Sequence, residues 1–255
     1  MTALGFEFPP VSHLFEWPDI LFEDTPLAVN KTVLLMWVTV IFLSALFLYV
    51  ARNFETIPGK LQSLLESVVN FIDQGIVHEV MGPEGRAWTP YLTTLFLFIF
   101  FLNIFEVLPP ISFPATSRMA IPMFLSALTW VLFVTVGFVK QGPKYVVGVL
   151  FPPGVPKFLY ILVTPIELFS TFVIRPISLA VRLFANLFAG HLLLTVFFLL
   201  TASVWALKPS IVILPVTFGA AVGLTGFEVL VALLQAYIFT ILTAVYIGES
   251  MHPHH

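Results

Sequence analysis

The 255-residue chain is 59% hydrophobic and 10% charged, with a mean hydropathy of +1.02 and a formal net charge of −3. Soluble domains carry about 25% charged residues, so this composition excludes them and indicates an integral membrane protein. Cysteine is absent, which excludes disulfides and thiolate metal sites.

Residues 1–30 contain no Lys or Arg and carry Glu7, Glu16, Asp19, Glu23 and Asp24. A secretory signal needs a basic start and an apolar core, so none is expected here, and the segment reads as an acidic external tail. The first apolar run, VLLMWVTVIFLSALFLYV, lies between Lys31 and Arg52, and 33–51 is long enough to span a bilayer. Residues 60–80 differ. Leu61, Leu64, Leu65, Val68, Val69 and Ile72 recur at helical spacing against Gln62, Glu66, Asn70 and Asp73, the pattern of an amphipathic helix lying at an interface or against a partner. Pro and Gly at 58–59 and 82–85 bound it.

Two more spans follow, 91–108 up to the pair Pro109–Pro110 and 119–139 up to a lysine- and proline-rich loop at 140–157. The remainder forms two long apolar regions, 157–206 and 211–248, separated by LKPS. Each exceeds a perpendicular crossing, so both are expected to be long, strongly tilted helices, with Pro165, Pro176 and Pro215 as points where kinks can form. The expected fold is an all-α membrane protein of about five transmembrane helices plus an amphipathic interfacial helix, in a single domain. With five crossings, Arg52, Lys60, Arg86, Lys140, Lys144 and Lys157 fall on one side and Lys31, Arg118 and Lys208 on the other. This asymmetry predicts an outside N-terminus and a cytoplasmic C-terminus.

Ionisable residues at membrane depth cost at least about 2.5–3.5 kcal/mol each on insertion scales, so they are functional candidates. They are Glu106, Glu167, Arg175, Arg182, His191 and Glu228, with Glu249 at the inner end of the last helix. Arg182 is a fixed cation, because a guanidinium keeps its proton. Thr171, Arg175, Ser178, Arg182, Asn186 and Ala189 share one helix face and form a polar-and-small stripe. That stripe reads as a groove for a partner helix with a permanent cation at its centre; a bundle-paired or snorkelling arginine is the alternative. His191 points to the opposite side, toward Glu228 of the next helix, although a lone histidine can equally be a satisfied core residue. Glu228 and Gln235 are nearly in phase on one face, while Gly219, Gly223 and Gly226 form a smooth strip suited to helix packing. Glu167 can either act on ions or complement its helix dipole.

By depth, Asn103, Glu106, His191 and Glu228 fall in the outer half and Glu167 and Ser178 in the inner half, with Arg182 between them. Two offset polar half-paths divided by a fixed cation cannot pass protons straight through. A carboxylate on a partner would have to ferry each proton between the halves.

RPISLAVRLFANLFAGHLL and LLQAYIFTILTAVYIGES, together with FLNIFEVLPP and PGKLQSLLESVVNFI, resemble the a subunit of F-type ATP synthases over nearly the whole chain. The resemblance implies that Arg182 meets the carboxylates of a rotating c-subunit ring and prevents leakage between half-channels. It implies that Asn186 and Gln235 lie beside it, that His191 and Glu228 form an interacting pair, and that Glu106 lines the outer half-channel. Ser178, Glu167 and Arg175 are then candidates for the path or the ring face. Partners would be the c-ring, the b subunits of the peripheral stalk, the rest of the F1Fo complex and the bilayer; no nucleic acid, cofactor or metal is expected. Protons are favoured over sodium, because oxygen ligands around Arg182 are few. A bacterial plasma membrane is the expected location, with the mitochondrial inner membrane as the alternative.

A self-contained transporter or channel would show internal repeats or paired broken helices, and neither is evident. An intramembrane hydrolase would need a motif such as H-E-x-x-H, which is absent.

Overall fold

The computed structural model describes residues 29–108, 118–151, 155–206 and 214–251. Their regular structure is helical, and five helices are long and apolar enough to cross a membrane, in agreement with the expected all-α membrane class. The acidic tail, the Pro109–Pro110 pair and the LKPS break lie outside the described residues.

Helix α1 spans Lys31–Arg52. Asn30 starts it by accepting the Val33 N–H at 3.2 Å, which satisfies one of the free amides of the first turn. Thr32, Leu35, Thr39 and Leu43 recur every three or four residues and form its buried stripe, and α1 packs against α3. Trp37 and Ile41 project outward, as expected of a peripheral span.

Helix α2 (60–81) is built from Lys60–Ile72, a π-helical stretch Asp73–His78 and Glu79–Met81. Its apolar face is only partly covered. Leu65 and Ile72 are buried, whereas Leu61 and Leu64 are exposed. Gln62, on the polar side by spacing, is buried instead. Its amide accepts the Glu55 N–H at 3.2 Å and donates to the Glu55 carbonyl at 3.0 Å and to Glu66 at 2.8 Å, so it enters the interior without an orphaned group. A 3-10 turn, Pro83–Trp88, leads into α3 (Thr89–Ile104). Asp73 ties this corner by accepting the Thr89 hydroxyl at 2.6 Å and approaching Arg86 at 3.7 Å. Helix α3 is apolar all round, with Leu92, Leu95, Phe96, Leu97, Ile99 and Leu102 buried, as a central helix requires.

Helix α4 (Ala120–Gln141) tolerates Pro122 because the first turn needs no N–H there. It ends at Gly142, whose φ of +62° is open to glycine at little cost and turns the chain into the short helix α5 (Lys144–Leu150). Helix α6 runs over 160–206: Tyr160–Phe169, a π turn Ser170–Ile174, then Arg175–Ala206. Pro165 is accommodated inside the first part. In the π turn the Arg175 N–H reaches back to the Ser170 carbonyl, and Pro176, which has no N–H, follows at once. The Ser126 hydroxyl of α4 donates to the Pro176 carbonyl.

Helix α7 (Leu214–Met251) has 38 residues and is thus about 57 Å long at 1.5 Å per residue. The hydrocarbon core is about 30 Å thick, so only a steep inclination keeps α6 and α7 within it. Helix α7 packs on α6, α3, α4 and the end of α2. Ala221, Ala232, Ala236, Ala244 and Gly248 line its buried side, where small residues let backbones approach in a medium as apolar as the side chains themselves. Gly219, Gly223 and Gly226 behave differently from a packing strip. A Cβ at any of them would meet nothing within 4 Å, so this side of α7 is open.

Candidate functional site

Helix α6 carries most of the candidate residues, and they divide into three levels along it. At the middle level, Arg182 is half-buried and forms no ion pair among the described residues. One turn on, exposed Asn186 donates to the Gln235 Oε1 of α7 at 2.8 Å. Gln235 is 2% exposed and its Nε2 has no partner, so the amide keeps a donor in reserve beside the arginine stripe. Ala185 and Ala189 are exposed on the same side, and Ile177 and Val181 extend it as an apolar surface. Ser178 opens into a groove lined by Phe169, Val173, Ile174, Ile177 and Val181, separate from the polar cavity below.

Toward the C-terminal end of α6, the chain assembles a buried cluster from three helices. Glu106, just past the end of α3, has a side chain only 1% exposed and sits 3.8 Å from the His191 Nδ1. Asn103 is fully enclosed one turn earlier, and its carbonyl accepts the Glu106 N–H at 3.2 Å. Glu228 of α7 faces the backbone of Gly190, where a Cβ would lie 2.5 Å from its Oε2. The contact His191 makes to Glu106 is an addition to the reading from spacing, which aimed it at Glu228. His191 does turn away from the open face that carries Ala185, Asn186 and Ala189. Glu106 Oε1 is buried without a hydrogen-bond partner.

Toward the N-terminal end of α6 lies a cavity of about 250 Å3. Tyr145, Gly148 and Val149 of α5, Glu167, Thr171 and Arg175 of α6, and Glu249 and Ser250 of α7 line it. Glu167, Thr171 and Arg175 lie four residues apart and keep a common side across the π turn. Arg175 donates to Glu249 at 2.6 Å and lies 5.0 Å from the Tyr246 ring centroid, so it is both ion-paired and stacked. Tyr145 is wedged against Gly137, where a Cβ would meet its ring at 2.6 Å, and its hydroxyl is 3.4 Å from the Ser250 hydroxyl. Burial pushes the Tyr145 phenol above its ordinary value, against smaller opposing effects of Ser250 and Arg175, so it remains a neutral hydroxyl. Tyr145, Tyr246 and Ser250 escaped the reading from sequence. The opposite signs of Arg175 and Glu249 at one end of the bundle were the available clue to their pairing.

From Glu167 to His191 is a helical rise of about 36 Å, enough to cross the hydrocarbon. Ionisable side chains thus lie at both depths of the helical bundle, with Arg182, which has no ion pair among the described residues, between them. The sequence model of the family described as ATP synthase A chain matches residues 33–248. The chain is 41% identical to ATP synthase subunit a of Frankia alni, over 98% of this chain and 88% of that protein. It is 45% identical to the subunit of a Parafrankia species, over 80% and 69%, and 34% identical to that of Rhodococcus erythropolis, over 99% and 93%. The chain belongs to the ATP synthase A chain family. It is a proton-translocating component of the membrane sector of the F-type synthase, works within that complex, and is not catalytic alone.

Proposed function

We propose that the two polar clusters are offset half-paths against a ring of c subunits and that Arg182 is the barrier between them. Protons enter by Asn103, Glu106, His191 and Glu228, pass to a ring carboxylate, travel with the ring, and leave past Glu167. Arg182 draws the ionised carboxylate from its neighbouring lipid phase and repels a proton that would cross directly. Asn186 and Gln235 hold each other at the level of the arginine. Ser178, Ile177, Val181 and the open glycines of α7 supply the ring-facing surface, and the b subunits of a peripheral stalk hold the subunit still against torque. The loop charges favour an external N-terminus and a cytoplasmic C-terminus, and the bacterial relatives favour a plasma membrane.

The observation that carries this reading is that Arg182 has no counter-ion among the described residues while Arg175, seven residues away on the same stripe, has one. An unneutralised guanidinium at membrane depth is too costly to persist without a partner that supplies the anion. Each elementary charge moved across 100 mV releases about 2.3 kcal/mol, so several crossings are needed per ATP. The test is Arg182→Ala. Proton-driven ATP synthesis in sealed vesicles is expected to vanish while the complex still assembles, and synthesis at the wild-type rate would overturn the assignment.

A further inference from the structure

The cavity beneath the π turn holds three charged side chains, Glu167, Arg175 and Glu249. Two of them cancel. Arg175 and Glu249 are 2.6 Å apart and come from the two long helices, 74 positions apart in sequence. Their side chains are 25% and 41% exposed, so both border the open volume rather than the packed interior. Tyr246, one turn before Ser250, packs a ring against the guanidinium at 5.0 Å, and it lies within electrostatic reach of both Arg175 and Arg182. Among the described residues that line it, the cavity is thus left with one carboxyl outside any ion pair, that of Glu167.

On the reading of this cavity as the inner half-path, we infer that Glu249 is a positioning residue that keeps Arg175 off Glu167 and cancels its field in the path. A guanidinium free in this cavity has one other lining carboxylate to seek, that of Glu167. Seated on Glu167, the guanidinium would occupy the carboxylate that borders the cavity and close that side chain to the path. The free cation would also raise the local potential for every proton crossing the cavity, a penalty that low-dielectric walls amplify. The Tyr246 ring assists by giving the guanidinium a second favourable surface away from Glu167. Charge cancellation, not the tie between α6 and α7, is the function assigned to the bridge.

Glu249→Gln, Arg175→Gln and the double variant separate these roles in the intact complex, reconstituted in liposomes. Passive proton uptake is measured after removal of the catalytic sector, with subunit content checked in each preparation. Glu249→Gln is expected to slow uptake at least about fivefold. Adding Arg175→Gln should restore it to within about twofold of wild type, because the stray cation is then gone. A structural tie predicts the reverse, since the double variant lacks the bridge as completely as either single one. Wild-type uptake in Glu249→Gln, or an unrescued double variant, overturns the inference. If Glu249→Gln fails to assemble, uptake by the double variant alone decides between the same two outcomes. Arg182→Ala made in parallel keeps the questions apart: its full activity would sink the two-path reading itself, whereas the other failures leave that reading standing.

Discussion

The carboxylate of Glu228 occupies the space that a side chain on Gly190 would fill, with its Oε2 2.5 Å and its Cδ 2.7 Å from the ideal Cβ position. The absence of a side chain at 190 is therefore what lets α7 bring an acid up to the backbone of α6, one residue before His191. The obstructing atoms would be the far end of a flexible side chain, so a methyl group there moves the carboxylate rather than the helices.

Gly190→Ala is accordingly expected to assemble normally and to lose most proton conduction. Proton uptake by vesicles stripped of the catalytic sector checks this. Unchanged uptake would show that the exact seat of Glu228 is irrelevant.

Glu106→Gln removes a carboxyl of the same cluster that is 1% exposed while keeping its shape. If Glu106 relays protons to His191, ATP synthesis under an imposed gradient should fall at least about a hundredfold, the lower end of the range for losing one acid–base group. A drop confined to subunit content, with normal rates per assembled complex, would assign Glu106 to structure.

The Asn186–Gln235 hydrogen bond joins α6 to α7 beside the arginine. Interhelical hydrogen bonds in membranes average about 0.6 kcal/mol and reach about 1.7 kcal/mol. A double-mutant cycle of Asn186→Ala and Gln235→Ala, followed by denaturation of the detergent-solubilised complex, should give a coupling in this range. Additive losses would mean that the bond contributes nothing to stability.

Two sets of glycines should respond oppositely to alanine. Gly137→Ala collides with the Tyr145 ring at 2.6 Å, a rigid obstacle, and should destabilise by about 1–3 kcal/mol. Gly223→Ala meets nothing within 4 Å, so the subunit's own stability should hold, and any loss of turnover then reports on a neighbour in the complex. Thermal denaturation and turnover, measured on both variants, separate the two effects. Comparable destabilisation in both would contradict the open face of α7.

The five apolar helices and the division of α6 into an arginine face and a histidine face were legible in the sequence because both follow from spacing along one helix. Contacts between helices were not. His191 meets Glu106 because α3 ends beside α6, a tertiary fact with no trace in local periodicity. The same holds for Arg175 and Glu249. Spacing placed Gln62 on the wetted side of α2 and Leu64 on the apolar side, yet Gln62 is buried and Leu64 exposed. The backbone groups of Glu55, which satisfy the Gln62 amide, come from the preceding turn, and periodicity within α2 does not reveal them. Ser178 was grouped with Glu167 by depth alone, and which cavity each side chain borders, an apolar groove for Ser178 and the polar cavity for Glu167, was not legible.

The π turn at 170–174 takes one more residue into α6 than an α-helical turn would. Removing one residue there would restore ordinary α-helical winding at nearly the same total rotation, about 400° for four α residues against about 410° for five π residues, so Glu167 would keep its facing relative to Arg182. The extra residue is therefore taken up in the π turn without turning the lower wall of the cavity away from the arginine face.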